Sequence, residues 1–244
     1  MSFFLSKLYK TNRRLEKRLP RHRWFYVLFI CFLSSFIFSL GIYMYVSKSQ
    51  MNSQYDIFFD LLTYLVVVFD FGITFMKFSE KAIIEPKHLN IYPLSKWQRF
   101  IFDFILLLTD YKSFLYFSAL IISILFVLRK NSFLCVLITF FVWLLLLTNV
   151  ITWTVVGFRL GERFIFRNQE HTQLISSFLF VFPLLVMNLL DVNLVKYIPL
   201  TSYVANSIYG LFILDYTLII NNIILLIAIL GLGISVYAFI TTNS

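Results

Sequence analysis

Four charged residues stand inside or at the edge of long apolar runs: Asp70, Asp103, Asp110 and Lys112. Ionisable groups at membrane depth seldom face lipid; they pair across helices or line a path for an ion or substrate. Asp103 and Asp110 are seven positions apart, which puts both on one face if the helix between them is continuous, and Lys112 could then neutralise a carboxylate on another helix. The other reading leaves Asp103 at a polar boundary and Asp110 with Lys112 at a helix break. For Asp70 an interhelical bond and a part in translocation are equally open. Asp56 and Asp60 are accounted for by a solvated helix N-terminus, where negative charge suits the dipole.

Other chemistries lack their residues. No GxxxxGK[ST] loop occurs, and the seven glycines are scattered rather than clustered to cradle phosphate. His22, His88 and His171 fit no HExxH spacing, and no GxSxG elbow is present. Cys31 and Cys135 sit in separate apolar runs, as lipid-facing or packing residues rather than as a metal or disulfide pair. The chain therefore reads as no enzyme in its own right, with no cofactor and no metal.

The elements that would position these charges are membrane helices. Apolar residues make up 60% of the 244 residues and charged ones 14%, against about 45–50% and about 25% in soluble domains. The mean hydropathy is +0.84. This composition predicts an all-α polytopic membrane protein with one transmembrane domain, 1–244. Six spans are expected, at 24–46, 57–76, 100–128, 132–156, 173–190 and 215–240. The second contains Asp70, yet ten strongly apolar residues at about −0.3 to −0.6 kcal/mol each offset the roughly 3 kcal/mol cost of a central Asp. The third is interrupted at 109–113, where a kink or a break into a half-helix and a full span is expected, with a break favoured. Pro183 marks a kink in the fifth.

Residues 1–23 carry eight basic residues and one acid, Glu16, and read as a retained arm, an amphipathic interfacial helix suited to anionic lipid rather than nucleic acid. With the arm on the cytoplasmic side, sixteen basic residues fall in inner segments and four in outer ones, as the positive-inside rule requires. Between the fifth and sixth expected spans, Pro199, Thr201, Ser202 and Asn206 interrupt a moderately apolar interval, predicting an outer re-entrant helix pair or a surface loop.

Residues 78–103, FSEKAIIEPKHLNIYPLSKWQRFIFD, form the longest charged interval between apolar runs. Pro86 and Pro93 each disfavour helix at the residue before them and bracket a short helical piece at 87–92.

Taken together, the basic arm, six spans, long inner loop and Pro-containing outer interval resemble the ABC-2 type permease subunits of bacterial ATP-driven exporters. The resemblance covers nearly the whole chain, and its most specific part is the inner loop: Glu80-Lys81, then Leu89, then Pro93-Leu94-Ser95 followed by Lys96. It implies that 78–99 carries a coupling helix that docks on a separate ATPase subunit through Glu80, Lys81, Leu89, Pro93, Leu94, Ser95 and Trp97, with 157–171 as a smaller contact. It also implies a second permease copy or paralogue, ATP and Mg on the partner subunit, and the cytoplasmic membrane of a bacterium. Where that family commonly has Gly-Lys after the Pro-Ser segment, this chain has Phe102 and Asp103, a departure that bears on substrate class. The implied function is export of a peptide, lipid or other amphipathic compound. An ion- or proton-coupled carrier or channel using Asp70 and Asp110 is the alternative, and a non-transporting membrane scaffold a third.

Overall fold

The computed structural model describes residues 20–46, 54–79, 95–108, 113–128, 133–164 and 198–242. Every regular element among them is a helix: α1 (Pro20–Val46), α2 (Gln54–Ser79), α3 (Lys96–Leu108), α4 (Ser113–Leu128), α5 (Phe133–Phe164), α6 (Thr201–Ile213) and α7 (Tyr216–Thr242). Helices are what long apolar runs form without water, because each backbone group then finds its partner within the segment. Two helices are long and apolar enough to cross a membrane by length and composition, Phe133–Gly157 and Tyr216–Thr241.

Local chemistry sets several boundaries. Pro20 opens α1, where its missing N–H costs nothing and its fixed φ suits the first turn. The basic residues Arg21 and Arg23, expected in the arm, are therefore helical. Likewise α5 continues past 156 to Phe164, taking in Arg159, Glu162 and Arg163. Hydropathy ends at the edge of an apolar run, but Arg and Glu are good helix formers and carry the helix beyond it. Asp215 caps α7 by accepting the backbone N–H groups of Thr217 and Leu218 at 3.1 and 3.2 Å.

Of the third apolar region the described residues are α3, which carries Asp103, and α4; the stretch 109–112, where the break is expected, lies outside them. Asp110 and Lys112 lie outside the described residues, as do 173–190.

Contacts give the helices their directions. Phe58 and Phe59 of α2 meet Phe126 of α4, with ring centroids 5.4 and 5.6 Å away, while Asp70 meets Tyr116; α2 and α4 are antiparallel. Trp143 of α5 reaches Ser123 of α4. α5 and α7 are parallel: Asn149 reaches the Leu226 carbonyl, and Gly233 abuts Thr152 and Trp153. A Cβ on Gly233 would lie 3.1 Å from Thr152 Cγ2.

The described part of the interval before α7 is a helix, α6, rather than a surface loop. At 13 residues α6 is about 20 Å long, too short to cross, and nine of its residues are buried against α2, α4, α5 and α7. Thr201 and Ser202 lie inside it rather than capping it. The N-cap is Leu200, with φ 77 and ψ −58 and no side-chain cap. A two-residue turn then reverses the chain, Leu214 taking the left-handed conformation at φ 63 and ψ 33. Gly210 permits the close return, since a Cβ there would lie 2.9 Å from Ile219.

Two apolar clusters hold the helices. The larger draws on α1, α2, α4, α5, α6 and α7, with Phe59, Leu115, Leu146 and Ile208 at its centre. The smaller seats α3 on the C-terminal halves of α5 and α7 through Leu107, Ile151, Val155, Val156, Tyr237 and Ile240. The outer faces are equally apolar: Phe32, Phe117, Leu134 and Phe239 are more than half exposed. Apolar surface on that scale is typical of a protein solvated by lipid rather than water.

Candidate functional site

Asp70 is fully buried on α2, and its Oδ2 accepts the Tyr116 hydroxyl of α4 at 2.5 Å. Tyr116 is held edge-on by Trp143 of α5, with ring centroids 6.5 Å apart, and the Trp143 indole N–H donates to Ser123 Oγ at 3.0 Å. Ser123 turns its own hydroxyl back to the Ala119 carbonyl. The four side chains tie α2, α4 and α5 together inside the larger apolar cluster. Each is less than a tenth exposed, so the cluster is a polar junction without bulk solvent. Chemically it can hold a carboxyl in one orientation and fix the separation of α2 from α4.

Asp60 and Thr63 lie on the same face of α2 as Asp70 by helical spacing, and both are buried. The solvated-terminus account of Asp60 is therefore wrong. The helix begins at Gln54, and the turn carrying Asp60 is enclosed where Phe58 and Phe59 pack on Phe126. The Asp56 side chain lies outside the described ones.

Asn149, fully buried on α5, donates to the carbonyls of Leu145 at 2.9 Å and Leu226 at 3.1 Å. Its Oδ1 has no hydrogen-bond partner. The two bonds assign the amide orientation, because only the NH2 group can donate to carbonyls.

Of the residues assigned to ATPase coupling, Glu80, Lys81, Leu89, Pro93 and Leu94, with the helical piece at 87–92, lie outside the described residues. Ser95 and Trp97 are described, and both have structural duties. Ser95 N-caps α3 in a reciprocal box: its N–H donates to Gln98 Oε1 at 2.9 Å, and the Gln98 N–H donates to Ser95 Oγ at 3.4 Å. Trp97 is half exposed, with its ring 6.3 Å from Phe100 and 6.5 Å from Tyr237. Phe100 lies 4.7 Å from Tyr237, which is 1% exposed.

Cys31 is exposed and Cys135 buried, in agreement with lipid-facing and packing roles. Among the described residues no three His, Cys, Asp or Glu side chains gather closely enough to hold a metal ion. At the head of α7, hydrogen bonds from the Thr217 hydroxyl and then the Leu218 N–H hold the Asp215 carboxyl below the usual carboxylate range.

Tyr116, Trp143, Ser123, Asn149 and Tyr237 were not among the residues singled out by sequence. Tyr, Trp, Ser and Asn inside apolar runs carry a weak local signal, namely a polar tip that needs a partner once buried. The partner of Asp70 is 46 positions away, and no periodicity connects the two.

No family model matches the chain, and neither a curated protein nor a solved structure matches it.

Proposed function

We propose that the chain is the transmembrane permease subunit of an ATP-driven ABC-2 type exporter, moving an amphipathic substrate with a separate ATPase. The reading rests on the sequence resemblance, and one structural observation supports it most. The polar segment 78–99 ends in a capped helix, α3, that is seated by aromatic contacts on the C-terminal halves of α5 and α7. A cytoplasmic loop attached in this way has a mechanical route into the bundle.

Six spans belong to this reading. α2 and α4 are antiparallel, and α5 and α7 are parallel. Two parallel spans require a return crossing between them, and the apolar run at 173–190 has the length to make it. In this reading the charge bias puts the N-terminus on the cytoplasmic side, and the resemblance implies the cytoplasmic membrane of a bacterium.

Co-purification in mild detergent tests the partner. An ATPase should accompany the chain, and Leu94→Glu should release it while the permease stays folded. Assembly unaffected by Leu94→Glu would exclude the docking role. Uptake into liposomes driven by a proton gradient without ATP would overturn the exporter reading. It would favour instead an ion-coupled carrier, which draws on the buried Asp70–Tyr116 pair.

A further inference from the structure

At Ser95 the chain enters α3. The capping box closes the first turn, and the Arg99 N–H donates to the Ser95 carbonyl at 3.1 Å. From there α3 turns Phe100, Phe104 and Leu107 toward the smaller apolar cluster. Tyr237 is the member of that cluster in ring contact with both Trp97 and Phe100. It is also buried, at 1% exposure. Just ahead of it, Gly233 lets α7 approach α5 at Thr152 and Trp153, and Asn149 bonds the two helices a further two turns back. These contacts follow one another from Ser95 into the middle of the bundle.

We propose that Phe100 and Tyr237 are positioning residues that lock α3 to α7, so that α3 and the C-terminal halves of α5 and α7 move as one rigid body when the segment before Ser95 is displaced. The delivery of motion from an ATPase rests on the permease reading; the lock itself does not. Interlocked rings suit this role because close-packed interiors transmit displacement rather than absorb it. α2 meets α4 at a different place, the Asp70–Tyr116 junction, which leaves α2 and α4 as the frame against which that body would move.

The lock is tested on the full chain in nanodiscs, with Cys31→Ser and Cys135→Ala removing the native thiols. Spin labels go at Ile101 on α3 and Leu232 on α7, both about half exposed. A single narrow distance distribution is expected by pulsed electron resonance. Tyr237→Ala, and independently Phe100→Ala should Tyr237→Ala not fold, should at least double its width, while Tyr237→Phe leaves it unchanged. A broad distribution in the parent, or a width indifferent to both alanine variants, overturns the proposal.

A second label pair, Ile121 on α4 with Leu232, reads delivery in the complex with the co-purifying ATPase. Trapping with ATP and vanadate should shift that distance, and Tyr237→Ala should shrink the shift at least threefold while ATP turnover persists. A full shift in Tyr237→Ala overturns the delivery role. If no ATPase co-purifies, the permease reading falls, and the first label pair still decides the lock.

Discussion

Removing the Tyr116 hydroxyl isolates one hydrogen bond in the bundle interior. Tyr116→Phe keeps the ring against Trp143 and creates almost no cavity, so the packing term that dominates most core substitutions is absent. What is lost is the 2.5 Å bond to Asp70, whose carboxyl has no bulk water to turn to at 0% exposure. In soluble proteins a bond to a charged group contributes about 1.5–3 kcal/mol, and a neutral one about 0.5–1.5. Interhelical bonds in membranes run lower, about 0.6 on average and about 1.7 at most, because helices separated in the bilayer find other partners. A buried carboxyl at short distance belongs at the upper end, so a cost of about 1–2 kcal/mol is expected. The assay is reversible unfolding in mixed micelles with rising dodecyl sulfate, for the parent, Tyr116→Phe, Asp70→Leu and the double variant. The expected coupling energy between the two sites is at least about 1 kcal/mol. If Tyr116→Phe costs as much with Asp70→Leu as with Asp70 present, the bond contributes nothing and the junction is not what joins α2 to α4.

Gly41→Ala would put a Cβ 2.7–2.9 Å from three side-chain atoms of Ile122, an overpacking expected to cost about 1–3 kcal/mol; adding Ile122→Ala should recover most of it in the same titration. Asn149→Leu removes the bond to Leu226 but also removes an acceptor, Oδ1, that is buried without a partner, so stability should change by less than about 1 kcal/mol, whereas Asn149→Ala should lose more by leaving a void. Asp215 has its carboxyl held below the ordinary range in the folded chain, so its contribution is present above the ordinary Asp value of about 3.9 and is lost as pH falls through the lower folded-state value. The thermal midpoint of the parent relative to Asp215→Ala should accordingly be level from neutral pH down to about pH 5 and shrink at still lower pH, with a constant difference counting against the cap.

What could be read from residue order alone was whatever depends on neighbours in the chain. Lipid-compatible helices follow from runs such as 133–157 because hydropathy sums over adjacent residues. The start of α3 at Lys96, ahead of the apolar run expected from 100, is set just as locally by the Ser95–Gln98 box, a spacing that sequence reasoning passed over. The end of α5 was read less well, because propensity carries the helix to Phe164, past the edge of hydropathy. Ser95 and Trp97 were singled out by resemblance, but their described contacts are a cap and an aromatic seat. Tertiary structure decided the pairings. Tyr116, 46 positions away, meets Asp70, Asp60 is enclosed rather than solvated, α6 is a buried half-length helix, and Tyr237 receives α3. The reason is that a side chain's partner across a bundle is set by the relative height and rotation of two helices. Those depend on every contact between them at once, whereas a helix's own existence depends on the few residues on either side of each backbone hydrogen bond.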